Sequence, residues 1–172
     1  MEFAIENLTA PPDRAELTPM LTEFFDYMVS NLVGLGGPSP DVSLVIDAFW
    51  KEAHHYLPPN GQSLLARDGD GHLVGMGSLR DIGEGKGELK RLYVRPLARV
   101  SGLGRILVQR RIDTAKDMGL TTLLADTFKA NVEMLGRYES LGFERIEGFK
   151  ESATLNLHPE FEPFMAFVRL KL

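Results

Sequence analysis

Between Val94 and Arg105 the chain reads Val94-Arg95-Pro96-Leu97-Ala98-Arg99-Val100-Ser101-Gly102-Leu103-Gly104-Arg105, a run suited to holding an anion. It lies between a predicted strand (Glu88 to Val94) and a predicted helix (Gly102 to Met118). The first turn of a helix presents unpaired N–H groups, and its dipole places about half a positive charge there. Gly102 and Gly104 carry no Cβ, so a diphosphate could approach the backbone closely. Arg99 and Arg105 add cationic charge. The competing reading of a Gly-x-Gly pair is a structural turn, but the strand-before, helix-after setting and the flanking arginines favour phosphate. A P-loop is excluded, because Gly85-Lys86 is followed by Gly87 and Arg80 stands where its first glycine belongs. A Rossmann-type dinucleotide module fits better: Gly102-x-Gly104 opens a helix and Asp126 follows the next strand. Its third glycine, however, would fall on Leu107, and Gly102 lies well beyond the strand end.

Helices and strands can be assigned around this loop from hydrophobic period. Phe3, Ile5 and Leu8 suggest a first strand that ends at Pro11-Pro12. From Asp13 onward Leu17, Met20, Leu21, Phe24, Tyr27, Met28 and Leu32 recur at helical spacing. The Gly34–Pro40 stretch breaks that helix, and Asp41 can cap a second one bearing Val42, Val45, Ile46, Phe49 and Trp50. Gln62 to Arg67 and Leu73 to Leu79 read as strands joined by the hairpin signal Asp68-Gly69-Asp70-Gly71. Thr121 to Ala125 is a further strand. Asn131 caps a helix with Met134, Leu135, Tyr138 and Leu141 on one face and Gly142 after its end. Strands are expected from Phe143 onward and over Phe164 to Leu172. The pattern predicts one mixed α/β domain over residues 1–172.

Composition narrows the function. A chain of 172 residues with 44% hydrophobic and 25% charged residues can build a real core. The net charge of -5 gives no overall attraction to nucleic acid or anionic membrane, so neither is an expected partner. The absence of cysteine removes disulfides, thiolate metal sites and a cysteine nucleophile. The spacing suggests no metal site. The opening Met1-Glu2-Phe3-Ala4-Ile5-Glu6 lacks the features of a secretory signal, and no stretch reaches the ~20 apolar residues of a membrane span. The expectation is a cytoplasmic monomer or homodimer.

Arg99-x-x-Gly102-x-Gly104 resembles the R/Q-x-x-G-x-G/A signature of the GNAT superfamily of N-acetyltransferases. Glu88 to Pro96 (ELKRLYVRP) is similar to the strand leading into that loop. Asn131, Tyr138 and Leu141-Gly142-Phe143 resemble the family's N…Y-E-x-L-G-F segment. Val100, Ser101, Met134, Gly136 and Arg137 depart from common family residues. The resemblance implies a mostly antiparallel central sheet with a splayed pair of strands and flanking helices. It further implies that the pantetheine arm of acetyl-CoA pairs with the edge at Leu92, Tyr93 and Val94, with the diphosphate on Arg99, Val100, Ser101, Gly102, Leu103, Gly104 and Arg105. Asn131 would contact a pantetheine amide, and Tyr138 would donate to the departing sulfur.

Acyl transfer to a primary amine needs a deprotonated nitrogen and donors for developing negative charge. Glu88 is the expected base, acting directly or through water, after desolvation raises its pKa. Asp126 suits a cap or turn better than catalysis, and His54 and His55 read as surface residues. Phe24, Tyr27 and Trp50 would pack as core residues beside the acceptor groove. The acidic balance is compatible with a cationic acceptor. Two alternatives remain at this level: a non-catalytic acyl-CoA-binding or regulatory domain, and the Rossmann-type module.

Overall fold

A computed structural model describes residues 2–172. Seven strands form one sheet in the order β1-β2-β3-β4-β5-β7-β6, with β4 and β5 the parallel pair and the other neighbours antiparallel. The strands are β1 (Ala4–Asn7), β2 (Gly61–Arg67), β3 (Leu73–Gly83), β4 (Lys86–Val94), β5 (Thr122–Phe128), β6 (Glu144–Ile146) and β7 (Met165–Lys171). β3 and β4 run longer than hydrophobic pattern suggests, because Gly83, Glu84 and Gly85 all take positive φ and close a tight hairpin.

Helices cover both faces. α1 (Arg14–Gly34) begins at Asp13, whose side chain accepts from Glu16 N at 2.9 Å. α2 (Val42–Glu52) begins at Asp41, which accepts from Ser43 N at 2.8 Å. Their apolar faces, including Met20, Leu21 and Phe49, pack with Leu65, Met76 and Tyr93 of the sheet. On the other face α3 (Leu103–Asp117) and α4 (Val132–Ser140) bury Val108, Ile112, Leu135 and Tyr138 against Leu79, Leu89 and Leu123. The parallel β4–β5 pair requires a crossover, which α3 supplies. Among the described residues no helix is long and apolar enough to cross a membrane.

The region after Phe143 differs from the sequence expectation. Only Glu144–Ile146 are strand; a short α5 (Ala153–Leu157) and a 3-10 turn over Pro159–Phe164 follow. Five residues are too few to display a helical period. Tertiary contacts hold α5 instead: Ser152 caps it, accepting from Leu155 N at 3.2 Å, and donates to Asp126 Oδ2 at 2.7 Å.

The functional feature of the sheet is a split. Parallel pairing between β4 and β5 runs from Lys86↔Thr122 to Leu89↔Ala125 and stops, although both strands continue. A bulge accompanies it. Met76 pairs with Tyr93 and Ser78 with Lys90, so Arg91 and Leu92 together face Gly77, and Arg91 takes φ 55°. An extra residue bends its strand and increases local twist, which turns β4 away from β5. Arg111 of α3 braces the bend from below. Its Nη1 donates to Ser78 O at 3.0 Å and to Lys90 O at 3.2 Å, and Nε donates to Leu107 O at 3.0 Å. Only a glycine fits over it easily, since a Cβ on Gly77 would stand 3.1 Å from Arg111 Cζ. Burial pushes the Arg111 guanidinium down to about 10, still cationic at neutral pH.

Candidate active site

Beyond the split the diverging strands open onto a cavity of about 550 Å³. Leu92, Asn131, Met134 and Tyr138 line it on the α4 side, and α1, α2, α5 and β5 close the rest. The volume falls in the range of small-molecule sites, about 300–1,000 Å³.

Past Leu89 the β4 edge facing the gap has no strand partner, so its backbone polar groups are available to an extended ligand. The Leu92 side chain lines the cavity, whereas Tyr93 is buried toward Phe24, 5.9 Å between ring centroids. Val94 packs against the cluster around Leu103 and Leu107, and its carbonyl accepts from Arg99 Nε at 3.1 Å. Tyr93 and Val94 can therefore offer backbone groups only.

The loop after β4 folds as a 3-10 turn over Pro96–Ser101, tied by Ser101 Oγ donating to Ala98 O at 2.6 Å. Gly102 takes φ 82° to lead into α3, a conformation that disfavours any other residue. Val100 is wholly exposed and Arg105 is exposed, while Leu103 is fully buried and can contribute only its backbone. Arg99 lies over the rings of Tyr27 and Tyr93, 5.6 and 6.0 Å from their centroids.

Gly104 has a neighbour the sequence did not reveal. A Cβ there would meet the Arg137 guanidinium of α4, with Cζ 2.8 Å away. Arg137, seemingly a departure from the motif, thus lies on the first turn of α3. No carboxylate pairs with it among the described residues. A cation at a helix N-terminus opposes the dipole, and an anion bound there would relieve it. With Arg99 and Arg105, Arg137 makes a third cation around the loop.

Asn131 does more than cap α4. Its Oδ1 accepts from Met134 N at 3.4 Å and from the Tyr27 hydroxyl at 3.2 Å, and Nδ2 donates to Thr127 Oγ1 at 3.2 Å. One amide N–H remains for a ligand. Tyr138 is buried, packs on Phe143 at 4.8 Å between ring centroids, and lines the cavity. Burial raises its pKa above the ordinary phenol value, opposed by the nearby Arg111 charge.

Glu88 lies elsewhere. It is fully buried, is absent from the cavity wall, and its carboxylate is engaged. Oε2 accepts from Arg80 Nε at 2.7 Å, Oε1 accepts from Ala153 N at 3.0 Å, and Lys90 Nζ is 3.6 Å away. The signal was in the sequence: Glu88 and Lys90 alternate in a central strand, so they share one face and need buried partners. Lys90 and Asp126 are the first residues beyond the last parallel pair, and both line the cavity. Lys90 Nζ donates to Asp126 Oδ1 at 2.8 Å and to Thr154 Oγ1 at 2.5 Å. Burial would lower the Lys90 pKa, but the Asp126 and Glu88 carboxylates outweigh it and raise the value. An ionic network thus sits at the crotch of the split and pins α5 to the sheet. His54 and His55 lie on the 3-10 turn after α2, outside the cavity wall. On the β2–β3 hairpin, Asp68, Asp70 and His72 each bring one ligand atom within 4.8 Å of the others.

These features define a class: an α/β domain with a split pair of parallel strands and a glycine-arginine loop leading into a helix N-terminus. The description of the acetyltransferase (GNAT) family matches residues 23–143, most of the chain, and the protein belongs to that family. An uncharacterised N-acetyltransferase of Schizosaccharomyces pombe is 34% identical over 103 residues, covering 59% of this chain and 63% of its own length. The chain thus spans just under two thirds of that relative. A GNAT-family acetyltransferase from Staphylococcus aureus has the same fold, with TM-score 0.72, 22% identity and coverage of 98% and 99% of the two chains. So does yncA from Salmonella typhimurium, solved with its cofactor acetyl-CoA, with TM-score 0.62, 20% identity and coverage of 100% and 95%.

Proposed function

We propose that the protein transfers an acetyl group from acetyl-CoA to a primary amine. The observation that carries this reading is the β4–β5 split, which joins the Arg99–Arg105 loop at one end to a cavity walled by Tyr138 at the other. The unpaired β4 edge suits the amides of pantetheine, in the manner of a strand added to a sheet. Gly102, Gly104, Arg99, Arg105 and Arg137 suit its diphosphate, and the free Asn131 N–H suits a pantetheine carbonyl. Bound acetyl-CoA supplies the activated acyl group.

In the transfer the neutral amine nitrogen attacks the thioester carbonyl carbon. The C–N bond forms, the C–S bond breaks, and sulfur leaves with the bonding pair; the surplus nitrogen proton passes to solvent. Tyr138 hydrogen-bonds the sulfur as charge builds on it. Since burial raises the phenol above its ordinary value of about 10, against about 8.5 for a thiol, full proton transfer is uphill and the hydrogen bond is its contribution. Glu88, paired with Arg80, serves to hold α5 rather than to take the proton.

Thiol release from acetyl-CoA in the presence of amines tests the reading. Release that depends on both partners supports it. The paired state of Glu88 and Asp126 favours one rival, a non-catalytic acyl-CoA-binding domain, which predicts CoA binding without release for any amine.

A further inference from the structure

The acceptor end of the cavity specifies what kind of amine can enter. Phe24, Phe25 and Met28 of α1 line it together with Phe128, Phe161 and Met165, and Met28 packs against the latter cluster. The lips are apolar too. Leu44 of α2 and Leu157 of α5 line the cavity while 65% and 52% exposed, so both carry apolar surface that a seated ligand would cover.

The buried charged groups in this lining are already paired, and Asp41 at the rim is hydrogen-bonded. Asp126 accepts from Lys90 Nζ at 2.8 Å, from Ser152 Oγ at 2.7 Å and from Thr154 Oγ1 at 3.2 Å. Glu52 Oε2 stands 3.6 Å from Arg91 Nη2. Asp41 caps α2, its Oδ1 accepting from Ser43 N and Oγ at 2.8 and 2.7 Å. His158, stacked on Phe161 at 4.6 Å, has Nδ1 3.2 Å from Glu160 Oε1. Tyr138 is the remaining titratable group of the wall. Asp41, exposed at the rim, has no cationic partner, but among the described residues the buried walls hold no unpaired carboxylate to neutralise an incoming ammonium.

Resting on the acetyl-transfer reading, we infer that the acceptor is a single primary amine on a bulky apolar body, arylalkyl or branched alkyl, taken up as the uncharged amine. Desolvation disfavours the ammonium form, so the walls themselves select the nucleophilic form and little is asked of a protein base. An amine with a second cationic group, such as a diamine, an aminoglycoside or a lysine-rich peptide, would bury a charge with no partner. The net charge of the chain therefore misleads about the acceptor: its acidity does not reach the buried walls as free carboxylate.

The test is thiol release from acetyl-CoA with phenethylamine and isoamylamine against ethylamine, putrescine and spermidine. One methylene in an apolar pocket is worth about tenfold or more, so kcat/KM for phenethylamine should exceed that for ethylamine or putrescine by about a hundredfold. Equal or reversed preference overturns the inference. With the uncharged amine as the true substrate, kcat/KM should rise about tenfold per pH unit below the pKa of the amine, and the profile should move when benzylamine replaces phenethylamine. A profile that stays fixed overturns uptake of the uncharged form. Leu44→Glu, at an exposed position that leaves the core intact, should lower the phenethylamine-to-putrescine ratio at least severalfold; an unchanged ratio places the acceptor elsewhere. Melting with CoA is run alongside. A CoA-dependent rise without thiol release from either apolar amine overturns the acceptor class, while no rise with CoA removes the acetyl-transfer reading itself.

Discussion

Tyr138→Phe keeps the ring that packs on Phe143 and removes only the hydroxyl. CoA affinity should barely change. A donor aimed at developing charge is worth about 2.7–4 kcal/mol in a dry site, and a partly wet sulfur needs less, so kcat should fall about tenfold to a hundredfold. Because burial holds the phenol above its ordinary value, the donor stays protonated through neutral and mildly alkaline pH. The variant's deficit should shrink as pH passes about 8.5, where a thiol ionises unaided. Pre-steady-state kinetics at several pH values checks this, and a wild-type chemical rate would make Tyr138 a packing residue. Gly104→Val probes the loop. Its side chain would displace the Arg137 guanidinium and crowd the first turn of α3, so CoA affinity measured by calorimetry should drop while the melting temperature without ligand changes little. Arg137→Ala should weaken CoA in the same assay, more at low salt than at high salt.

The bulge in β4 belongs to the scale of elements. It depends on three partners in different places: Arg91 at φ 55°, Gly77 opposite it, and Arg111 beneath. Arg111→Met would keep much of the volume but leave Ser78 O and Lys90 O without their donor. An orphaned buried acceptor costs about 1–3 kcal/mol, so denaturant titration should register a loss of that order or more. CoA binding should weaken beyond what the stability loss explains, because the strand proposed to receive it would no longer be held open. Unchanged binding at reduced stability would separate the brace from the split. α5 follows a similar logic. Ser152→Ala removes both a helix cap and the bond to Asp126 Oδ2, and the melt should show a loss of about 0.5–2 kcal/mol or somewhat more.

For the whole molecule, ligand binding is a stability measurement. CoA at 100 times its Kd adds about 2.7 kcal/mol, which for a chain of this size is several degrees in a melt. NADH at equal concentration should add nothing. A shift with NADH and none with CoA would remove the acetyl-CoA reading.

Hydrophobic period and end signals were enough for most elements. Asp13, Asp41 and Asn131 stand at helix starts because a short polar side chain there satisfies a backbone N–H whatever the rest of the fold does. The glycine-arginine loop was legible for the same reason, since strand, turn and helix N-terminus are local. α5 was not legible, because five residues cannot express a period and its cap reaches across the chain to Asp126. For Glu88 the alternation with Lys90 pointed to buried partners, but only the fold showed that one of them is Arg80. Arg137 looked like a departure from a motif until α4 was laid against Gly104. The sequence by itself thus determined most of the elements, the glycine-arginine loop and the family. Only the tertiary structure decided which charges are already paired and which walls the cavity has, because both depend on contacts between residues far apart in the chain.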